Sequence, residues 1–231
     1  ARFHREALAA GRIGHPNICD VRDRGITDDG LHFIVMELLE GTTLFDLIQA
    51  EGPLPPQRAV PIILGVLSAL GAAHRAGIIH RDLKPENIFL VISEEGSETV
   101  KLLDFGVSRF LDDANALRLT KSGKVLGTPL YVSPEQALAQ KDIDARADLW
   151  GAGVLLYESL TGHAPFKAKN TGQLLIKIIK EQPTSPRDYI PWISEHLERV
   201  CLKALSKRRR DRYQDAESFS IELERALKKS F

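Results

Sequence analysis

Two polar loops flanking a short apolar hairpin constrain this chain more than any other feature. The first is His80-Arg81-Asp82-Leu83-Lys84-Pro85-Glu86-Asn87, and the second opens with Asp104-Phe105-Gly106. Between them, Ile88 to Ile92 and Val100 to Leu103 read as strands around the polar turn Ser93 to Thr99. The strands must be buried, so Asp82 and Asp104 are left on flanking loops, where a rigid scaffold commonly displays its chemistry. Any one of these residues alone is an ordinary polar loop residue, and Asp-Phe-Gly alone is a weak signal. The eight-residue run followed by that turn is much more specific.

Bulk properties set the outer limits. A chain of 231 residues with 43% hydrophobic content suits one large domain or two small ones with a sizeable core. Lys plus Arg is 31 and Asp plus Glu is 31, so the charge balance favours neither nucleic acid nor an acidic surface. Cys19 and Cys201 are far apart with no Cys-x-x-Cys pair, which fits a reducing compartment and no zinc site. The charge-free stretch Ala59 to Ala73 contains Pro61 and falls short of the ~20 apolar residues of a membrane span, so it reads as a buried helix.

Along the chain, residues 1–12 put Phe3, Ala7 and Ala10 on one helical face. Asp20 to Thr27 and Leu31 to Leu38 read as strands joined by the turn Asp28-Asp29-Gly30. Thr42 or Thr43 can cap a helix through Gln49, Gly52-Pro53 breaks it, and Pro55-Pro56 opens a long apolar helix ending near Gly77. Asp144 to Gly162 is a strong helical pattern, with Trp150, Val154 and Tyr157 at helical spacing. Gly151-Ala152-Gly153 lies inside that helix, which rules it out as a Gly-rich nucleotide loop. An amphipathic stretch, Asp215 to Lys229, closes the pattern. Lys207-Arg208-Arg209-Arg210-Asp211-Arg212 is the one basic cluster, and a solvated face is the default reading for such a run.

The run His80 to Asn87, the Asp104-Phe105-Gly106 turn and the later Gly127-Thr128-Pro129-Leu130-Tyr131-Val132-Ser133-Pro134-Glu135 together resemble the eukaryotic-type protein kinases, and most of all the bacterial receptor-type Ser/Thr kinases. The resemblance implies an α+β fold: a partial small lobe and hinge over residues 1–39, with two strands and part of one helix, and a mostly helical catalytic lobe over 40–231. It implies ATP and Mg²⁺ as cofactors and Ser/Thr hydroxyls of proteins as acceptors, with no nucleic acid partner. Asp82 takes the place of the base, Lys84 steadies phosphate charge, Asn87 and Asp104 hold the metal, and the Thr128 hydroxyl bridges Asp82 and Lys84.

By the same resemblance, the backbones of Glu37 and Leu39 meet adenine, Met36 guards the back of the pocket, Phe89 and Leu103 floor it, and Glu6 pairs with an ATP-binding Lys. His80, Phe105, Glu135, Asp148 and Arg212 are structural positions, with Asp148 accepting N–H groups of the catalytic loop and Arg212 pairing with Glu135. A phosphate on Thr120 or Ser122 would offer oxygens to Arg81 and order the segment between Asp104 and Glu135.

The family pattern begins earlier than this chain does. No Gly-rich loop or Val-Ala-x-Lys strand precedes Glu6, and residue 1 falls mid-helix, so the expectation is a fragment of a longer cytoplasmic kinase, with a dimer contact in the missing small lobe and, by the resemblance, a linker, membrane anchor or sensor past Phe231. The competing reading is a non-catalytic binding module that keeps the scaffold. Intact Asp82, Asn87 and Asp104 count against it.

Overall fold

The computed structural model describes residues 13–92, 96–104 and 129–229. Strands β1 (Val21–Ile26) and β2 (His32–Met36) form an antiparallel hairpin, closed by a turn in which Gly30 takes φ 86°. Leu31 and all of β2 are exposed, so this two-stranded sheet contributes little apolar burial of its own. A second sheet has the order β3 (Gly41–Thr43), β4 (Ile88–Ile92), β5 (Glu98–Leu102), antiparallel throughout. The short β3 has no clear signal in the sequence. At Gly41 a Cβ would stand 1.9 Å from the Leu90 carbonyl oxygen, so only glycine lets this strand reach its partner.

Local rules explain the helix starts. Helix α1 (Leu44–Glu51) is capped by Thr43, whose hydroxyl accepts the Asp46 N–H, and it stops at Gly52. Helix α2 (Pro56–Arg75) opens on a proline at its first position, where no N–H is needed. It is apolar and long enough by composition to cross a membrane, but it packs against β5 and two helices of the lobe. Helix α3 (Pro134–Ala137) begins with a reciprocal capping box between Ser133 and Gln136.

Helix α4 (Arg146–Thr161) is the axis of the lobe and is buried on every side, with Leu149, Trp150, Val154, Leu155, Leu156 and Tyr157 inaccessible to solvent. Its glycines admit close neighbours: a Cβ on Gly153 would lie 2.7 Å from that of Ala204, and one on Gly151 would lie 3.1 Å from that of Leu83 in the loop before Asn87. The Gly-Ala-Gly run is therefore a packing surface. Helices α5 (Thr171–Lys180), α6 (Glu195–Ala204) and α7 (Ala216–Lys228) complete the lobe, each with a polar N-cap, at Asn170, Ser194 and Asp215.

The basic run is not the solvated face its composition suggests. Arg212 is buried and grips buried Glu135 through two parallel bonds of 2.7 Å, while its remaining donors reach the carbonyls of Ser206, Arg146 and Lys207. Its guanidinium also lies 5.0 Å from the centre of the Trp150 ring. Lys207 turns inward over Phe166 and donates to the Ile178 carbonyl near the end of α5. Arg209 bonds Asp142, Asp144 and Gln140. Only Arg208 and Arg210 of the run are exposed cations.

Breaking the Glu135–Arg212 pair strands a buried charge. Arg212→Ala is expected to lower the unfolding free energy by about 3–5 kcal/mol, seen as a reduced urea midpoint at unchanged slope. A loss below ~1 kcal/mol would show that the pair is dispensable.

Candidate active site

The loop after α2 is organised by one carboxylate. Asp148, 1% exposed in the first turn of α4, accepts the backbone N–H of His80 at Oδ2 and of Arg81 at Oδ1, both at 2.8 Å, and its Oδ2 also meets the His74 ring at 2.8 Å. A negative charge is favoured there by the helix dipole. Its hold is needed because Arg81 adopts φ 68°, a left-handed conformation that costs a non-glycine residue roughly 1–2 kcal/mol. The strain turns the chain sharply and presents Asp82 to solvent.

From that turn the remaining polar residues are tied in sequence. The Asn87 amide donates to the Asp82 carbonyl at 2.9 Å, which directs its own oxygen elsewhere. Asn87 accepts the Leu103 N–H at its carbonyl, and the His80 ring bonds the Leu103 carbonyl at 2.9 Å. Leu103 is thus held at both its N–H and its carbonyl by the loop that carries Asp82, immediately before Asp104. Asp104 itself is exposed and takes φ 55°, which Asp tolerates better than most residues. Lys84 stands 3.2 Å from the Asp82 carboxylate in a solvent-accessible pair.

The second border of the site is the end of β2. Glu37 donates its N–H to the Asp20 carbonyl, and its side-chain Oε1 accepts both the Asp20 N–H at 2.8 Å and the Lys101 ammonium at 2.7 Å. Burial would raise its carboxyl, but Lys101 and the Asp20 amide outweigh that and hold it below the ordinary value. Phe89 lies opposite Lys101 in the β4–β5 ladder, and Leu103 is two residues further along, so Phe89, Lys101 and Leu103 share the sheet face that meets Glu37. Leu39 is half-buried just beyond, and Leu38 is 89% exposed.

Of the residues expected from sequence that fall among those described, Asp82, Lys84, Asn87 and Asp104 lie at one end of the β4–β5 hairpin, and Glu37 pairs with Lys101, which stands opposite Phe89 and two residues before Leu103. Glu6, Phe105, Thr120, Ser122 and Thr128 lie outside the described residues. Three contributors were not anticipated: His74, Lys101 and Gln136, whose side-chain amide donates to the Arg81 carbonyl at 2.8 Å. Only Gln136 leaves a local trace, the Ser-x-x-Gln spacing of a capping box.

No three His, Cys, Asp or Glu side chains cluster as a metal site among the described residues. The Asp104 carboxylate and Asn87 amide oxygen are hard donors, few in number. That set suits an ion such as Mg²⁺, which keeps water and phosphate oxygens for its other positions.

Comparison with known proteins agrees with this geometry. Residues 1–223 match the protein kinase domain family. The chain is 44% identical over 227 residues to the serine/threonine-protein kinase pkn3 of Myxococcus xanthus, covering 97% of this chain and 41% of that protein. It is 39% identical over 227 residues to the serine/threonine-protein kinase PknB of Mycobacterium tuberculosis, covering 97% and 35%. Among solved structures, the kinase domain of Mycobacterium tuberculosis PknI matches with a TM-score of 0.74 at 25% identity, over 97% of this chain and 78% of that one. Rad53 residues 1–466, solved in complex with AMP-PNP, matches with a TM-score of 0.76 at 28% identity, over 94% and 53%.

The fold is that of a protein kinase. The chain belongs to the protein kinase domain family, in which ATP and a divalent metal are general cofactors and proteins are the substrates, and it spans well under half the length of the two bacterial kinases just described.

Asp148→Asn replaces one acceptor oxygen with a donor facing other donors. It is expected to destabilise the fold by about 1–3 kcal/mol, a fall in Tm of about 2–4 °C per kcal/mol. An unchanged melting curve would mean that the loop holds its turn without this carboxylate.

Proposed function

We propose that this domain transfers the γ-phosphoryl group of Mg-ATP to Ser or Thr hydroxyls of proteins. The observation that carries the reading is the shared network in which one loop holds Asp82 and Asn87 and, through Leu103, the approach to Asp104. A phosphoryl-transfer site needs such fixed geometry, because positioning and charge neutralisation supply most of the catalysis. Lys84, with Thr128 and the Gly-Thr-Pro run, favours Ser/Thr over Tyr acceptors.

Each residue has a defined task in this scheme. The Asp82 carboxylate accepts the proton of the acceptor hydroxyl as its oxygen bonds to the γ-phosphorus and the bond to the departing ADP oxygen breaks. Lys84 balances charge on the moving phosphoryl group, and Thr128 orients Asp82 and Lys84. Asn87 and Asp104 would hold Mg²⁺, which when bound neutralises the phosphate oxygens. The backbones of Glu37 and Leu39 receive adenine over Phe89 and Leu103, with Glu6 paired to an ATP-binding Lys. Arg81 offers a cation to a phosphate on Thr120 or Ser122. The two cysteines, free and buried, accord with a cytoplasmic location.

The full-length natural protein, given ATP, Mg²⁺ and a Ser/Thr protein acceptor, is expected to transfer phosphate, and Asp82→Asn should reduce kcat by about 10²–10⁴-fold. Chelating the divalent cation should stop transfer. Equal rates with and without Asp82 would refute its role. Failure of the wild-type protein to transfer phosphate while still binding protein partners would favour the non-catalytic scaffold.

A further inference from the structure

Gln136 occupies two hydrogen-bond positions at once. Its side-chain oxygen accepts the Ser133 N–H at 3.0 Å, and its own N–H donates to the Ser133 hydroxyl, which together cap α3. Its side-chain nitrogen faces the other way and donates to the Arg81 carbonyl at 2.8 Å. That carbonyl belongs to the peptide joining Arg81 to Asp82. The same Arg81, in its left-handed conformation, is held at its N–H by Asp148. Arg81 is therefore pinned on both sides, by α4 below its N–H and by α3 at its carbonyl.

We infer that Gln136 is a positioning residue for Asp82, fixing the peptide plane that aims the carboxylate, and that this task requires an amide and not merely a helix cap. The inference rests on the phosphoryl-transfer role proposed for Asp82. Its chemistry follows from the donor count. A glutamate completes a capping box as well as a glutamine does. It has no N–H to give, however, and its carboxylate would oppose the Arg81 carbonyl. The two tasks of Gln136 thus separate in a single substitution of the same size and shape.

Helix α3 also carries Glu135, the partner of Arg212, so the bond from Gln136 joins the catalytic loop to the buried ion pair through adjacent residues. Whatever shifts α3 moves a hydrogen bond one peptide from Asp82. A water or a neighbouring donor could replace Gln136 only by meeting the Arg81 carbonyl from the same direction.

Gln136→Glu in the full-length protein tests this directly. With the melting temperature held, kcat is expected to fall about tenfold while KM for Mg-ATP stays within about twofold. Hydrogen exchange of the Arg81 and Asp82 amides should quicken relative to wild type, a readout that does not depend on activity. Asp82→Asn beside it reports on the proposed reaction. An inactive wild type would sink that reaction, yet exchange in Gln136→Glu would still decide whether the amide holds the loop. Unchanged kcat in an active enzyme, or unchanged exchange at Arg81 and Asp82, overturns the inference.

Discussion

The carboxylate of Asp148 is the constraint on which the site depends. A buried ion without partners is costly, and this one meets two backbone N–H groups and an imidazole. What it gains from them fixes a peptide conformation that Arg81 would not adopt alone. The carboxylate in turn is rigid because α4 is encased by the other helices, with Trp150 and Leu149 inaccessible beside it. Interior packing thus reaches the Arg81 turn through this side chain, as it reaches Leu83 through Gly151.

A second buried charge, Glu135, joins the outer segment to the same helix by another route. Arg212 satisfies both its oxygens and stacks against Trp150, and Lys207 sits over Phe166, which itself stacks with Trp150. Burial, with Arg212 nearby, lowers the Lys207 ammonium to about 8. Aromatic faces and helix-end carbonyls make this crowding of cations tolerable.

Local chemistry was legible in the sequence, and long-range polar pairing only where the family resemblance supplied it, as for Asp148 with the loop after α2 and Arg212 with Glu135. Thr43 announces α1, Pro56 opens α2 and Gly162 ends α4, because each acts on its own neighbours. The loop at His80 to Asn87 was recognisable from residue types. By contrast, β3 is too short to show a period, and it exists because Gly41 can approach Leu90. Lys101, His74 and Gln136 each act on a residue distant in the chain, and nothing around them marks that partner. The basic run misled for a related reason at Lys207 and Arg209: composition records charge, whereas the fold decides that Lys207 turns inward to the Ile178 carbonyl and Arg208 does not.

The hairpin of β1 and β2 is held to the lobe at its base. An isolated two-stranded sheet is marginal in water, and this one leaves Phe33, Ile34, Val35 and Met36 each about two fifths exposed. Its base is tied to the lobe by the Glu37 bonds to Asp20 and Lys101 and by the segment just before β1, where Ile18 enters the apolar interior and Asn17 and Cys19 bond the backbone of Leu102. The end of β2 thus hangs on β5, and the loop carrying Asp82 hangs on α4, so two different elements set the two borders of the candidate site.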